Sequence, residues 1–600
     1  MDEKLKRYLT LATESNPVWL AHDQIAYIRR DDSGTNIWQL NLQTGERTKR
    51  TSRDTRVWAI AALPSTGDLF YALDENGHEC EQFYRLKPAA AEAERLTDAP
   101  DVRHFWGGVT PDGQTIAYAC NRRTPETFDI WTKDLASGDE TLVAEHSDNY
   151  NWPATGGLSP DGRYLLYNKL RGESDNALWL TDLEAKKSWR VPADDRISAE
   201  TGPAWRHDGQ GFYLLTDRDG EFNSVCYYDM ASKTMESVFR YGWDAASLAV
   251  SADDRYLAVL VNEDGYTALH IHDLVTGGEV NTIKPPRGVL SDYQHAVWSP
   301  EGHRLAFTLT SGTRPEALWL LDLDTDDMRR LSRDEITVSE RAAFVEPILC
   351  RFASFDGLEV PYWLYVPAGK EANALPVVVD IHGGPEGQEM PSFNAFIQYL
   401  LGEGFAVAAP NVRGSTGYGK TYTHLDDVEK RLDSIRDIES LVAHLIETGT
   451  ADADRIAVTG VSYGGFMTLS CAARLPDLWA CAIATVGMYN LVTFLENTAE
   501  YRRAHRESEY GSLERDRELL RQVSPVAKID QIVCPMMIVQ GKNDPRVPVT
   551  EAEQAVEALR DRNREVAYLC YEDEGHGIAK LKNRLDCYPK MADFLKKHLL

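Results

Sequence analysis

The sequence predicts two domains of different class. An N-terminal seven-bladed β-propeller is expected over residues 19–338, and a doubly wound α/β domain with a mostly parallel sheet over 339–600, after a short segment at 1–18. Three observations predict this. A chain of 600 residues exceeds what one hydrophobic core organises. From about residue 20 to 340, short strands recur at a fixed period and helical periodicity is lost. Beyond that point apolar strands alternate with helical patterns, which implies a parallel sheet with crossover helices.

Residues 2–12 are weakly amphipathic and predict a helix. The repeat that follows is marked by tight turns. Thr110-Pro111-Asp112-Gly113 precedes TIAYAC, Ser159-Pro160-Asp161-Gly162 precedes YLLY, and His207-Asp208-Gly209 precedes FYLL. Ala252-Asp253-Asp254 precedes YLAVLV, and Ser299-Pro300-Glu301-Gly302 precedes LAFTLT. Weaker copies at His22-Asp23 and Ser65-Thr66-Gly67 bring the count to seven. The steps are roughly 44–50 residues, the period of a four-stranded propeller blade. A second strand in each copy carries Trp131, Trp179 or Trp319 in three cases and is followed by Asp134, Asp182, Asp229, Asp273 or Asp322. Asp closes hairpin turns and Trp packs between blades, so these residues are given structural roles and no chemistry.

The α/β domain opens with strands at Val345 to Phe352 and Val360 to Val366, joined by a turn at Asp356-Gly357. Further strands are expected at 377–381, 405–409, 455–459, 481–486, 536–540 and 566–571. The clearest helix runs from Asp426 to Thr448, with Ile435, Ile438, Leu441, Val442 and Leu445 as its apolar stripe.

The centre of this domain is Arg455 to Thr468, RIAVTGVSYGGFMT. A buried strand runs into Gly460-Val461-Ser462-Tyr463-Gly464-Gly465, and a helix starts behind it. Strand, sharp turn with Ser at the tip, then helix is the nucleophile elbow. The G-x-S-x-G pattern alone is weak, since chance supplies it roughly 0.2 times in a chain of this length. Its context is stronger. Strand 536–540 runs into Gly541-Lys542-Asn543-Asp544-Pro545-Arg546, and strand 566–571 ends in Glu572-Asp573-Glu574-Gly575-His576-Gly577. Carboxyl ends of parallel strands line one crevice, so loops distant in sequence can converge there. Ser462 is then the nucleophile, His576 the base, and Asp544 the group that fixes the imidazole's tautomer. Upstream, strand PVVVDI enters His382-Gly383-Gly384-Pro385, an HGG-type loop whose backbone N–H, at Gly384, joins that of Tyr463 in an oxyanion hole. His382 is read as structural, not as a second base. Strand 405–409 enters the segment NVRGSTGYG at 411–419.

HGGP at 382–385, NVRGSTGYG at 411–419, GVSYGG at 460–465, NDPRVP at 543–548 and EGHG at 574–577 resemble, in order and spacing, the prolyl oligopeptidase family of serine peptidases, and its acylaminoacyl-peptidase branch in particular. The resemblance implies an α/β-hydrolase (doubly wound, mostly parallel sheet) plus an N-terminal seven-bladed β-propeller. It also implies an N-terminal segment packed on the hydrolase domain, Gly384 as the second oxyanion donor, and self-association into a homo-oligomer. Val412 departs from the aromatic residue that members often carry there.

Composition excludes several classes. Lys and Arg number 64 against 93 Asp and Glu, for a net charge of −29. Nucleic acid and anionic membrane surfaces are therefore poor partners. No apolar run approaches the length of a membrane span, and Met1 to Leu9 lacks an apolar signal core. Nine Cys form no CxxC pair, which fits free thiols in a reducing compartment, so a cytoplasmic location is expected. No metal motif and no phosphate loop is present, and no cofactor is expected.

A propeller over the crevice would exclude large folded proteins and leave short peptides as substrates. The P1 pocket is assigned to 486–494, with Met488, Tyr489 and Phe494 favouring an uncharged P1 residue. Arg546 is a candidate anchor for a substrate carbonyl or carboxylate. The acidic loop Asp74 to Gln82 holds the family's entrance Glu; Glu79 is nominated to pair with Arg546, with Glu81 as the rival. A single Glu neutralised by Arg546 suits an acylated N-terminus, whereas two free carboxylates would hold an ammonium. The leading expectation is a serine peptidase that releases N-acylated amino acids or acts as an oligopeptidase. Alternatives are a dipeptidyl aminopeptidase, a broad carboxylesterase using the same acyl-enzyme chemistry, and an inert platform.

Overall fold

The computed structural model describes residues 2–52, 57–74, 77–146, 150–172, 174–290 and 296–600. Glu75 and Asn76 of the acidic loop lie outside them. Seven antiparallel sheets, each made from one continuous stretch of chain, form the N-terminal domain; six have four strands and the last has five. Asp134, Asp182, Asp229, Asp273 and Asp322 each accept backbone N–H groups two and three residues on, at 2.7–3.2 Å, so the repeated Asp closes each hairpin turn. Trp131, Trp179 and Trp319 pack against apolar clusters that mix residues of adjoining blades. The ring closes without strand exchange. Trp19 donates to Val297 O at 3.0 Å, Arg304 pairs with Asp23 at 3.0 Å, and Ser332 donates to Glu14 at 2.6 Å.

Helix Glu3–Leu9 precedes the propeller. Asp2 caps it, accepting from Lys4 N at 2.8 Å. Leu5, Tyr8 and Leu9 are buried with Tyr399, Leu400, Phe594 and Leu595 of the second domain, and Tyr399 OH donates to Asp2 at 2.7 Å. The first blade strand, Thr13–Ala21, starts ahead of the expected boundary at 19. Its early residues are polar: Glu14 is buried between Arg29 and Arg47, and such a charge cluster leaves no apolar alternation to read.

The second domain is an eight-stranded sheet. Its order is Ile348–Ala353, Glu359–Tyr365, Ala406–Pro410, Leu375–Ile381, Ala451–Val461, Cys481–Thr485, Met536–Gly541, Val566–Tyr571, parallel from the third strand on. Two apolar layers cover its faces. The helix expected from Asp426 begins only at Asp433 (Asp433–Glu447), after two 3₁₀ turns. Arg431 is fully buried there between Asp426 and Glu509, and that ion cluster, not helical continuity, sets the path of the chain. No helix among the described residues is long and apolar enough to cross a membrane.

The domains touch around the crevice. Asn262 of the propeller donates to Gln388 at 2.6 Å, and the Glu221 carboxylate takes the backbone N–H of Thr421 at 2.6 Å. On the opposite side, Gly77 lies so close to Gly575 that a Cβ on either would strike the other's backbone.

Candidate active site

Ser462 sits at the end of strand Ala451–Val461 and caps helix Tyr463–Arg474. Its backbone is left-handed, φ 60° and ψ −115°, a strained state that the surroundings must enforce. They do so by contact. A Cβ on Gly460 would strike Gly464, one on Gly464 would strike Ile381 O, and one on Gly465 would meet Gly487 Cα at 2.7 Å. Ser462 N–H donates to Thr485 O at 2.9 Å, pinning the turn to the next strand.

Asp544 follows strand Met536–Gly541. Its Oδ1 accepts from Arg546 N at 2.8 Å and Val547 N at 3.0 Å. Its Oδ2 lies 2.7 Å from His576 Nδ1. A carboxylate only accepts, so Nδ1 carries the proton and Nε2 is left as the base. Glu574, itself buried, accepts from Ala579 N, Lys580 N and Asn583 at 2.7–3.1 Å and shapes the turn that presents His576. Asn543 N–H donates to Glu574 O at 2.9 Å and ties the Asp loop to the His loop.

The HGG segment lies beside the serine: a Cβ on Gly383 would stand 3.4 Å from Ser462 Cβ. Gly384 has φ 144°, where a side chain would press on Glu386 N. Among the described residues no acceptor takes the backbone N–H of Gly384 or of Tyr463, the first residue of its helix. Two unpaired donors next to a strained serine are what a developing oxyanion needs. His382 is held by Gly383 O and Ser415, both at 2.8 Å, and burial lowers its pKa.

At the entrance, the propeller contributes Glu79. It is buried, with φ 58°, and its backbone N–H donates to Asp74 at 3.0 Å. Oε1 accepts from Arg546 Nε at 2.5 Å and Oε2 from Arg103 at 2.7 Å. Burial alone would raise the Glu79 pKa, but Arg103, then Arg546 and Arg502, outweigh it and hold the carboxyl down at about 2. Glu81 differs. Burial pushes it up to about 7, and its Oε2, 3.8 Å from Arg103 Nε, has no hydrogen-bond partner among the described residues. Sequence reasoning missed Arg103 and Tyr501, which hydrogen-bond each other across 398 residues of chain. No local pattern marks either.

Met488, Tyr489 and Phe494 are 2–3% exposed and belong to the hydrolase core; Phe494 meets Tyr510 edge-on at 5.9 Å. In this conformation they offer almost no surface to a substrate, contrary to their assignment as P1 lining. The buried carboxylate of Glu551 accepts Tyr489 N–H at 3.0 Å and Asn490 N–H at 2.7 Å and turns the segment inward.

The prolyl oligopeptidase family matches residues 391–600, and its N-terminal beta-propeller domain matches 21–334. The chain belongs to the prolyl oligopeptidase family. Among similar proteins is dipeptidyl peptidase family member 6 of Caenorhabditis elegans, 34% identical over 96% of this chain and 83% of that one. Acylamino-acid-releasing enzyme 2 of Oryza sativa subsp. japonica is 28% identical over 41% of this chain and 33% of its own length. A puromycin-hydrolyzing peptidase of Mycobacterium tuberculosis superimposes with a TM-score of 0.85 at 21% identity, covering 99% of this chain and 95% of that one. Membership of the family makes the chain a serine hydrolase of peptidase type.

Proposed function

We propose that this serine peptidase acts on short peptides whose N-terminus carries no charge, and that it releases N-acylated residues or cuts as an oligopeptidase. Ser462 attacks the carbonyl, His576 Nε2 takes and returns the proton, and the N–H groups of Tyr463 and Gly384 receive the oxyanion. The observation that carries the substrate reading is Glu79. Both of its oxygens are spent on guanidiniums, Arg546 at 2.5 Å and Arg103 at 2.7 Å. An ammonium would find no free carboxylate there. An acyl carbonyl, in contrast, can accept from Arg546, which remains 36% exposed.

A dipeptidyl aminopeptidase is the second reading, favoured by one feature: the unpartnered Oε2 of Glu81 could hold an α-ammonium. A relative matched over 96% of this chain and 83% of its own length carries a dipeptidyl peptidase name. A matched panel tests both: an acetylated amino-acid anilide, a free-amine dipeptide anilide, an internally blocked longer peptide and a short-chain ester, with Ser462→Ala as control. Preference for the acetylated substrate supports the first reading. Preference for the free amine replaces it with the second, and turnover of the ester alone overturns both.

A further inference from the structure

The leaving side of the elbow holds two arginines that the chemistry above does not use. His576 returns its proton to the departing amine, so the leaving peptide passes the loop that presents His576. Helix Leu581–Leu599 follows that loop. It covers the sheet face on which Ala457 packs with Cys587 and Met591. Val461 is in phase with Ala457 along its strand and adjoins Ser462. It is 46% exposed, so space stays open between the elbow and the start of the helix. Arg584 and Tyr588 lie one turn apart on the helix. The Arg584 guanidinium stands 5.9 Å from the Tyr588 ring, which packs on Phe396 at 5.1 Å and on the same apolar layer. Across the domain boundary stands Arg30. Blade hairpins reach the hydrolase domain around the ring: Gly77 meets Gly575, Gly172 faces Ser508, Glu221 takes Thr421 and Gly312 meets Pro347. The hairpin of the first blade, 31–34, stands between those of the second and seventh, and Arg30 at its foot is exposed. Burial lowers the Arg584 pKa, and the charge of Arg30 lowers it further.

These two like charges lack a counter-ion. Among the described residues no carboxylate lies within ion-pair distance of either. Glu574 also acts on Arg584, but its oxygens are spent on Ala579 N, Lys580 N and Asn583. Other buried arginines are paired: Arg413 with Asp437, Arg431 with Asp426 and Glu509, Arg506 with Glu386. In a chain with 93 acidic residues against 64 basic ones, an unpaired arginine couple is open to a carboxylate from outside the chain. We propose that Arg584 and Arg30 bind the C-terminal carboxylate of the leaving peptide, so that the enzyme selects short substrates by their far end. An extended chain spans at most about 3.6 Å per residue, so only a carboxylate a few residues beyond the cut bond fits this place. One guanidinium comes from each domain, and a bound carboxylate therefore also joins the first blade to the hydrolase domain.

The inference rests on the peptidase reading above, and the experiment separates the two. Short uncharged peptides of graded length are made with an acetylated or a free N-terminus, each as C-terminal acid and C-terminal amide. Their kcat/KM is measured for wild type, Arg584→Gln and Arg30→Gln. At the best length, wild type is expected to prefer the acid over the amide by about 10-fold or more, the usual worth of a hydrogen bond to a charged group. Each substitution should bring this acid-to-amide ratio toward one, and high salt should lower it in wild type. A general loss of catalysis cancels in the ratio. A ratio of one in wild type, or an undiminished ratio in either variant, overturns the proposal. Arg30 is exposed on a hairpin, so Arg30→Gln still decides the matter should Arg584→Gln not fold. Preference for free-amine peptides would overturn the reading of the substrate's N-terminus while the acid-to-amide ratio still judges the two arginines. If peptides of neither series are cut, both readings fall.

Discussion

At Ser462 the backbone strain and the hydroxyl serve one purpose, and they can be separated by mutation. Ser462→Ala keeps every glycine contact that enforces the turn, so melting temperature should stay near wild type while kcat falls about 10⁶-fold. Asp544→Asn keeps the shape of the side chain, but its amide can present N–H to His576 Nδ1 and select the wrong tautomer. A fall of about 10⁴-fold in kcat is expected, and a loss below tenfold would remove Asp544 from the mechanism. At the entrance, Glu81→Gln should leave KM for an acetylated anilide unchanged, because Glu79 and Arg546 form the contact that matters there. If that substitution instead raises KM for the acetylated substrate severalfold, the substrate contact has been placed on the wrong carboxylate. The places of Ser462, Asp544 and His576 in loops after strands Ala451–Val461, Met536–Gly541 and Val566–Tyr571 were legible from sequence because the apolar pattern of each strand is local. Arg103 and Tyr501 were not, because a hydrogen bond spanning 398 residues leaves no trace in any window.

Elements show the same division. The propeller repeat was readable because five of the seven blades close with the same Asp turn, a contact between residues two and three apart, and Asn41 makes the same turn in the first blade. The first strand and the helix start at Asp433 were misread for a shared reason: buried charge, at Glu14 and at Arg431, looks like surface in a sequence. Met488, Tyr489 and Phe494 show the converse, since an apolar run reads alike whether it lines a pocket or fills a core. The elbow is the element most exposed to overpacking. Gly464→Ala would drive a methyl into Ile381 O and His382 O, which are backbone atoms of the oxyanion strand and cannot rotate away. It should cost about 1–3 kcal/mol in a urea titration and take most of the activity with it. Wild-type stability would mean that strand and helix can part enough at Gly460 and Gly464 to admit a methyl group.

For the whole molecule, what needs explaining is how a propeller seated over the crevice stays seated. The contacts that join it to the hydrolase domain mix apolar and polar groups: Tyr266 packs edge-on against Trp363, Phe128 against Tyr501 and Trp243 against Tyr418, beside Asn262 to Gln388, Glu221 to Thr421, and Glu79 to Arg546. Glu79 is the one whose ionisation is held far from its usual range, at about 2 instead of 4.5. A carboxyl with a depressed folded pKa stabilises the closed state fully above its unfolded value and loses that contribution as pH falls through the folded one. Arg103 lies in the propeller with Glu79 and stays beside it on opening, so only the share owed to Arg546 and Arg502 is linked to closure, within a window from about 4.5 down to about 2. Arg546 is 36% exposed, so salt screens part of the attraction and the effect should shrink at high ionic strength. Acidification through that window should therefore loosen the seat of loop 77–82 on Gly575, seen as faster amide exchange in both segments and a larger radius of gyration. Glu79→Gln removes the titrating group. It should be looser at neutral pH and lack this part of the pH response, while the many other carboxylates titrate equally in both proteins and cancel in the difference. Identical pH profiles for wild type and Glu79→Gln would show that the gate is held by its neutral contacts, and that Glu79 serves the substrate alone.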